Sequence, residues 1–472
     1  MQLPSRCQGG RHTSITTDAK LHKVSKVRCP PAKPAAGTVA RPLALYRHLP
    51  VSDRDLDVVV FGATGVTGRT VAAYLAERSA EMSLRWAAAV RDTSKAARVF
   101  GEAGVEPPET MVADIGDRSS LAAMAARARV VLNLVGPYTL FGRPVIEACL
   151  ASGTHYADLT GEMPFVRRII DDFDGPAAAA GIKVVQTCGF ESLPPDLLVM
   201  LAADAARARW DESLATADLE LTVTLPPGVP RPSDAISGGT TQSMFAIAGD
   251  EDAELIADPA ALISDATSAS AVRSASPITI APRRGANGAV IAPMAPAAFI
   301  NPAVIQRTAQ LLASAEGRPL QPFRYREGVV LGGSSVLQPL RWGIAGALSA
   351  TQAGLRSIAA ARPAIRRPIA STLGRMLPAT GFGPAGERLV RWTWTMSVQA
   401  RTTSGRDVRA AVQADGHPGY LTTARMLAEA GLLLAEDGAT PARAGCLTPG
   451  AALGSGCIER LERAHMHFSV SP

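Results

Sequence analysis

Residues Val58–Gly68 read VVVFGATGVTG, a β-branched run that ends in three glycines spaced three apart, Gly62, Gly65 and Gly68. A buried strand that turns sharply into a helix calls for this pattern. The first glycine permits the turn, the second lets a pyrophosphate approach the backbone, and the third lets the helix press on the strand. Free amides at the helix start then face the phosphates, with Thr64, Val66 and Thr67 lining the turn and the two threonines adding hydroxyls. The stretch predicts the phosphate-binding turn of a dinucleotide-binding fold.

From Leu56 onward, short β-branched runs alternate with Ala-rich helical stretches, the pattern of a parallel sheet covered on both faces. Strands are expected at 58–61, 84–90, 109–113, 130–135, 156–159 and 183–187, with helices at 69–78, 94–100, 119–126, 143–152 and 163–180. Together they make a doubly wound α/β Rossmann domain over 55–201. Beyond it the period changes. Leu219, Leu221, Val223 and Leu225 alternate in one run, Trp392, Trp394, Met396 and Val398 in another, and 408–413 forms a third. Strands of this kind predict an inserted α+β domain with a mixed sheet over 202–414. Segments 260–317 and 328–375 carry no pattern that fixes an element. Residues 415–472 predict two helices, 419–436 and 450–463, packing back on the first domain.

Cofactor choice is made at the end of the second strand, where an NAD-binding domain places an acid to grip the ribose hydroxyls. Here the chain reads Ala89-Val90-Arg91-Asp92, with Lys95 one turn further. A guanidinium at Arg91 suits a 2′-phosphate, which favours NADP(H), while Asp92 is placed to compete for the ribose. Asp114, ending the third strand, is placed either to meet the adenine edge or to cap the next helix. Asn133–Tyr138, NLVGPY, ends the fourth strand, and Gly136 and Pro137 there bring backbone toward the nicotinamide ribose. Ligands in such sheets sit at the carboxyl ends of the strands, so Tyr138, Asp158, Glu162, Glu191 and Ser192 all point to one cleft. Each is a candidate to protonate or orient a substrate, and each also suits a turn or cap. No tyrosine is followed four positions later by Lys, which removes the proton donor of short-chain dehydrogenases.

A chain of 472 residues exceeds what one core organises. The net charge of +6 suggests nucleic acid until its placement is read. Residues 1–50 carry nine Lys or Arg against one acid, Asp18, leaving 39 basic and 41 acidic residues elsewhere. The body is near neutral and no nucleic-acid partner is expected. Residues 1–54 read as a disordered basic extension, with an organelle transit peptide as the alternative. Six cysteines without a CxxC pair or a Cys/His grouping predict no metal and a reducing, cytoplasmic setting. Trp342–Leu355 is apolar but too short to span a bilayer. It reads as a buried helix with solvated ends, the alternative being an interfacial helix at the periphery of a membrane.

At these residues the sequence resembles the saccharopine dehydrogenase-like oxidoreductases, and more narrowly their actinobacterial branch, the trans-acting enoyl reductases. The resemblance rests on GATGVTGR (62–69), NLVGPY (133–138), YADLTGE (156–162), GFESLPPDL (189–197), SGGT (237–240), HPGY (417–420) and LTP (447–449), in that order. It implies NADP(H) and hydride transfer to the β-carbon of an enoyl thioester, a polyketide- or lipid-derived substrate carried in connection with a polyketide synthase. Glu191 stands where Asp is usual in the family, and His417 where Asp often precedes Pro-Gly-Tyr. Two other functions follow from the same resemblance: imine reduction, and NADP binding without catalysis at a membrane.

Overall fold

The computed structural model describes residues 54–228, 243, 246–247, 249–285, 288–294, 296–332, 335–366, 368 and 389–471. Residues 1–53 of the basic extension, the SGGT motif at 237–240 and Arg375 lie outside the described residues, while Arg54, expected in the extension, is buried and donates to the carbonyls of Ala126 and Ser152.

Two seven-stranded sheets organise these residues. The first is built by β1 (Leu56–Phe61), α1 (Val66–Glu81), β2 (Trp86–Val90), α2 (Thr93–Ala103), β3 (Thr110–Val112), α3 (Arg118–Arg127), β4 (Ala128–Asn133), α4 (Tyr138–Ser152), β5 (His155–Asp158), α5 (Met163–Ala179) and β6 (Lys183–Val185). All its pairings are parallel, and β1 lies between β2 and β4. That reversal of strand order is the switch point at which such sheets bind ligands. Strand β2, WAAAV, is buried throughout, as a strand covered on both faces must be.

From β6 the chain enters α6 (Leu193–Trp210) and then the second sheet: β7 (Leu214–Thr224), α7 (Ala266–Ala275), β8 (Arg283–Arg284), β9 (Val290–Ala292), α8 (Asn301–Ala315), β10 (Arg324–Val330), α9 (Gln338–Ala359), β11 (Thr393–Thr402) and β12 (Asp407–Asp415). The β7–β10 pair is parallel and the β11 pairs antiparallel, so this sheet is mixed. Trp394, Met396, Val398 and Ala400 on β11 face inward at period two. One apolar core runs from Val58 and Val60 of the first sheet through Leu197 and Leu198 of α6 to Met396 and Val398 of the second.

The last sixty residues do more than form two helices. Pro418–Thr422 makes a π-turn into α10 (Thr423–Ala435), which packs on α1 and β4. Then β13 (Gly445–Leu447) joins the parallel sheet beside β6. Instead of the continuous helix expected at 450–463, α11 (Pro449–Leu453) and α12 (Cys457–Arg463) are separated at Gly454, whose φ of +65° ends the first. Finally β14 (Met466–Ser471) adds an antiparallel edge to the second sheet. The C-terminal segment thus ties both sheets together.

One expectation is overturned outright. Helix α9, which contains Trp342–Leu355, is not buried: of its twenty-two residues only Ala345, Gln352 and Ala359 are. Those three recur every seven residues, a narrow seam along an otherwise open helix.

Candidate active site

The glycine turn has the geometry its sequence implies. Gly62 sits at φ +87°, a conformation L side chains avoid, and a Cβ there would lie 2.9 Å from Val135. At Gly68 a Cβ would fall 2.3 Å from the Gly62 carbonyl and under 3 Å from the Ala63 backbone, so the close helix approach excludes any side chain. Gly65 differs. It is exposed, its φ is −71°, and a Cβ would meet only the Gly62 carbonyl, at 3.3 Å. Helix α1 starts directly after it, with no side-chain cap and no acid in its first turn. The amides of Val66, Thr67 and Gly68 therefore face outward unsatisfied, beside half-exposed Thr64 and Thr67, and form a cradle that fits a pyrophosphate.

At the end of β2 the two competing side chains separate. Asp92 accepts the Lys95 amide at 2.9 Å and caps α2, which takes it from the ribose. Arg91 stays 82% exposed, its Nε 4.0 Å from an Asp114 oxygen. The other Asp114 oxygen accepts the Gly116 amide at 2.7 Å, and Asp117 rather than Asp114 caps α3. Arg91, held loosely by Asp114, and exposed Lys95 set two cations at this corner of the cleft.

The ends of β4 and β5 are locked by a buried network. Asp158 accepts the amides of Thr160 and Thr187 at 3.0 and 3.2 Å and the Tyr156 hydroxyl at 2.8 Å. That hydroxyl accepts from Asn133, whose own Oδ1 accepts the Val135 amide at 3.0 Å. Burial pushes the Asp158 carboxyl up to about 7, against the pull of its three donors. The Tyr138 hydroxyl donates to the Asn133 carbonyl at 3.1 Å, and burial raises its pKa well above the usual phenol. After Gly136-Pro137, the amides of Tyr138 and Thr139 at the start of α4 donate to Glu162 at 2.9 and 2.7 Å. Glu162 thus fills the second helix N-terminus in the cleft, leaving that of α1 for an anion. Asn133, Tyr138, Asp158 and Glu162 are brought together, with their polar atoms turned on one another.

Glu191 and Ser192 occupy the loop after β6. Glu191 is half-buried; among the described residues its carboxyl has no hydrogen-bond partner except its own amide, and burial raises its pKa. Thr423, just beyond the HPGY motif, accepts the Phe190 amide at 3.2 Å, and Trp394 meets Phe190 edge-on at 4.9 Å, so both braces hold this loop from behind. Ser192 is buried and donates to Asn301 at 2.9 Å; Asn301 in turn donates to Glu327 at 2.7 Å, which also accepts from Tyr325 at 2.9 Å. Burial pushes Glu327 up to about 7, and its second oxygen is buried without a partner.

Sequence pattern does not single out Asn301, Glu327 or Thr423. Two signals were present: the Asn301-Pro302 helix start, and Tyr325, Glu327 and Val329 at period two, which sets a carboxyl on an inward face. Among the described residues no cluster of metal-ligating side chains occurs.

Residues 58–185 match the saccharopine dehydrogenase NADP binding domain. Over 438 residues the chain is 36% identical to a putative trans-acting enoyl reductase of Mycobacterium tuberculosis, covering 89% of this chain and 98% of that relative. The chain belongs to the trans-acting enoyl reductase family. Another member, a trans-acting enoyl reductase of Mycobacterium bovis, is 32% identical over 428 residues, covering 88% of this chain and 97% of the relative. A saccharopine dehydrogenase (L-Glu forming) structure from Saccharomyces cerevisiae aligns over 88% of this chain and 99% of its own, at 14% identity and a TM-score of 0.45. This enoyl reductase homologue is an oxidoreductase that binds NADP(H), and its cradle and Arg91 corner suit that cofactor.

Proposed function

We propose that the protein reduces the α,β double bond of an enoyl thioester with NADPH, and that Glu191 supplies the proton. Bound NADPH supplies a hydride at the β-carbon. The displaced π electrons move onto the thioester carbonyl, giving an enolate. Its collapse forms a C–H bond at the α-carbon with a proton from Glu191, which is reprotonated from solvent. The products are the saturated thioester and NADP+.

The observation that carries this reading is the freedom of Glu191. Of the five candidate side chains, Tyr138, Asp158, Glu162 and Ser192 are each committed to a partner, while Glu191 is half-exposed and, among the described residues, its carboxyl is left to turn to a ligand. A raised pKa keeps such a carboxyl protonated closer to neutrality, as a general acid requires. Tyr138, Asp158 and Ser192 then act as positioning residues. Cofactor contacts fall to Gly62, Thr64, Gly65, Val66, Thr67, Gly68, Arg91, Lys95, Asp114, Asn133, Gly136 and Pro137, with Arg91 and Lys95 on the 2′-phosphate. The substrate is a polyketide- or lipid-derived acyl chain on a carrier, delivered by a polyketide synthase whose own reductase is missing, in the making of envelope lipids. The relatives' name, trans-acting enoyl reductase, supports the part of this reading that concerns an enoyl group presented by another protein.

The test is loss of NADPH absorbance with a panel of enoyl thioesters of increasing chain length. Turnover that rises with chain length is expected. An absence of turnover at every length overturns the reading.

A further inference from the structure

Helix α9 covers little of the protein it belongs to. The helix, with its buried seam of Ala345, Gln352 and Ala359, rests on β9 and on Ala253–Ala257, and Trp342 packs against the cluster of Val290, Ala292 and Ala345. Gln352 and Ser349 tie it down by donating to the carbonyls of Pro293 and Ile280. Beside that seam runs a second stripe, at helical spacing, that stays open among the described residues: Leu340 is 60% exposed, Ile344 45% and Leu348 39%. Val336 and Leu337 extend it at one end, and half-buried Leu355 and Ile358 at the other. Thr351 is the one polar residue on it.

Along the chain the charge flanking the stripe has one sign, and the acids nearest in space, exposed Glu251 and Glu254, lie on the segment that α9 contacts. From Gly328 to Gly386 the chain holds six Arg and no Asp or Glu. None of the six lies between Arg341 and Arg356, so the centre of the helix is uncharged, and Arg356 and Arg362 stand exposed beyond its second half.

We propose that α9 is a docking element for an anionic lipid surface, lying in the interface with Leu340, Ile344 and Leu348 among the acyl chains and the flanking arginines at the headgroups. An apolar stripe with cations at its margins is the pattern of an interfacial helix, whose guanidinium stems reach back to the headgroup level. It lies on the surface and does not cross it, since among the described residues no helix is long and apolar enough to span. A second copy of the chain fits less well. The stripe measures roughly 32 Å by 10 Å, well under the roughly 800 Å² each partner contributes to a stable interface. An acidic protein partner would find no cation along the centre of the helix to pair with.

The position of α9 links this surface to the cleft. Val329 pairs with Ala292, in the cluster that Ala345 joins, and shares a face of β10 with Tyr325 and Glu327, so the helix lies on the face of the mixed sheet that carries Glu327. Arg366, just beyond α9, donates to the Asp250 carbonyl, and Asp250 pairs with Arg168 of α5 at 2.7 Å. A lipid plane against α9 would therefore lie on the same side of the mixed sheet as Glu327. The inference stands on the exposed face and does not depend on the acyl reading, and its readout is partitioning, not turnover.

The experiment is co-sedimentation of the full chain with vesicles of phosphatidylcholine alone and with about one-third phosphatidylglycerol. Binding to the anionic vesicles is expected, weaker on the neutral ones and weakened by salt. The triple substitution Leu340→Glu, Ile344→Glu, Leu348→Glu, all at exposed positions, lowers partitioning about tenfold or more. Thr351→Leu, which completes the stripe, raises it. The proposal is overturned if the parent stays in the supernatant, or if the triple variant sediments as well as the parent, in which case the basic extension alone carries the binding. It is also overturned if light scattering shows a dimer that the triple variant dissolves, or if only a carrier protein is bound.

Discussion

The three glycines of one motif should fail in different ways when each is given a methyl group. Gly65→Ala places its Cβ 3.3 Å from a single carbonyl, at a φ of −71° that any residue accepts. The folded chain loses a slightly better helix cap and the unfolded chain loses entropy, two terms of opposite sign below about 1 kcal/mol each. Stability should therefore change by less than about 1 kcal/mol, or about 1 °C in melting temperature for a chain of this size. The methyl does occupy the exposed surface where the pyrophosphate must rest. Losing one charge-assisted amide–phosphate bond costs about 1.5–3 kcal/mol, a ten- to hundredfold rise in the NADPH dissociation constant. Gly68→Ala drives its Cβ to 2.3 Å from the Gly62 carbonyl and against the Ala63 backbone, none of which can rotate away. Overpacking of that kind costs about 1–3 kcal/mol and shifts α1 off β1, so both stability and affinity should fall. Thermal melting and NADPH fluorescence titration of the two variants read both quantities. If Gly65→Ala binds NADPH like the parent, or melts as early as Gly68→Ala, the assignment of roles within the turn is wrong.

Replacing Arg91 by Ala should weaken NADPH about ten- to hundredfold and leave NADH unchanged, because only the 2′-phosphate is read there; equal losses for both cofactors would contradict the cationic corner. Glu191→Gln should lower kcat by about 10²–10⁴ with NADPH affinity intact, and the fall of the parent's rate with rising pH should vanish with it, since the acid works only while protonated. A carboxyl held above its unfolded value favours the folded state when protonated. The contribution of Glu327 to stability is thus present at low pH and lost as pH rises from about 4.5 through about 7. Glu327→Gln, which keeps the acceptor for Asn301 and Tyr325, should match the parent near pH 4 and exceed it by up to about 3 kcal/mol near pH 8, as urea titrations at the two pH values would measure.

The turn was legible in the sequence because its causes are local. Gly65 and Gly68 press on Gly62 and Ala63 within the same turn, Gly62 needs its φ of +87° whatever lies beside it, and the alternation on β11 needs only a period of two. Contacts made across the chain left no such trace. Glu162 caps a helix that begins twenty-four residues earlier, and Asp158 reaches Thr187. Strand β13 is three residues long, and nothing in Gly445-Cys446-Leu447 foretells a place in the parallel sheet. Asp92 and Asp114 illustrate the limit well, since spacing alone does not separate a helix cap from a ribose ligand; the Lys95 amide decides the first and the Gly116 amide defines a turn at the second. Helix α9 misled for a different reason. Apolar content reads as burial, and here the protein leaves Leu340, Ile344 and Leu348 outside.

The central claim concerns where the hydride goes, and isotope transfer tests it most directly. NADPH deuterated at the transferred position is incubated in ordinary water with the protein and an enoyl thioester, and the product is analysed by mass spectrometry and NMR. One deuterium at the β-carbon and one solvent proton at the α-carbon are expected, with formation of the product abolished by loss of the cofactor. Deuterium appearing at any other carbon, or no transfer to a conjugated thioester of any chain length, would contradict the account.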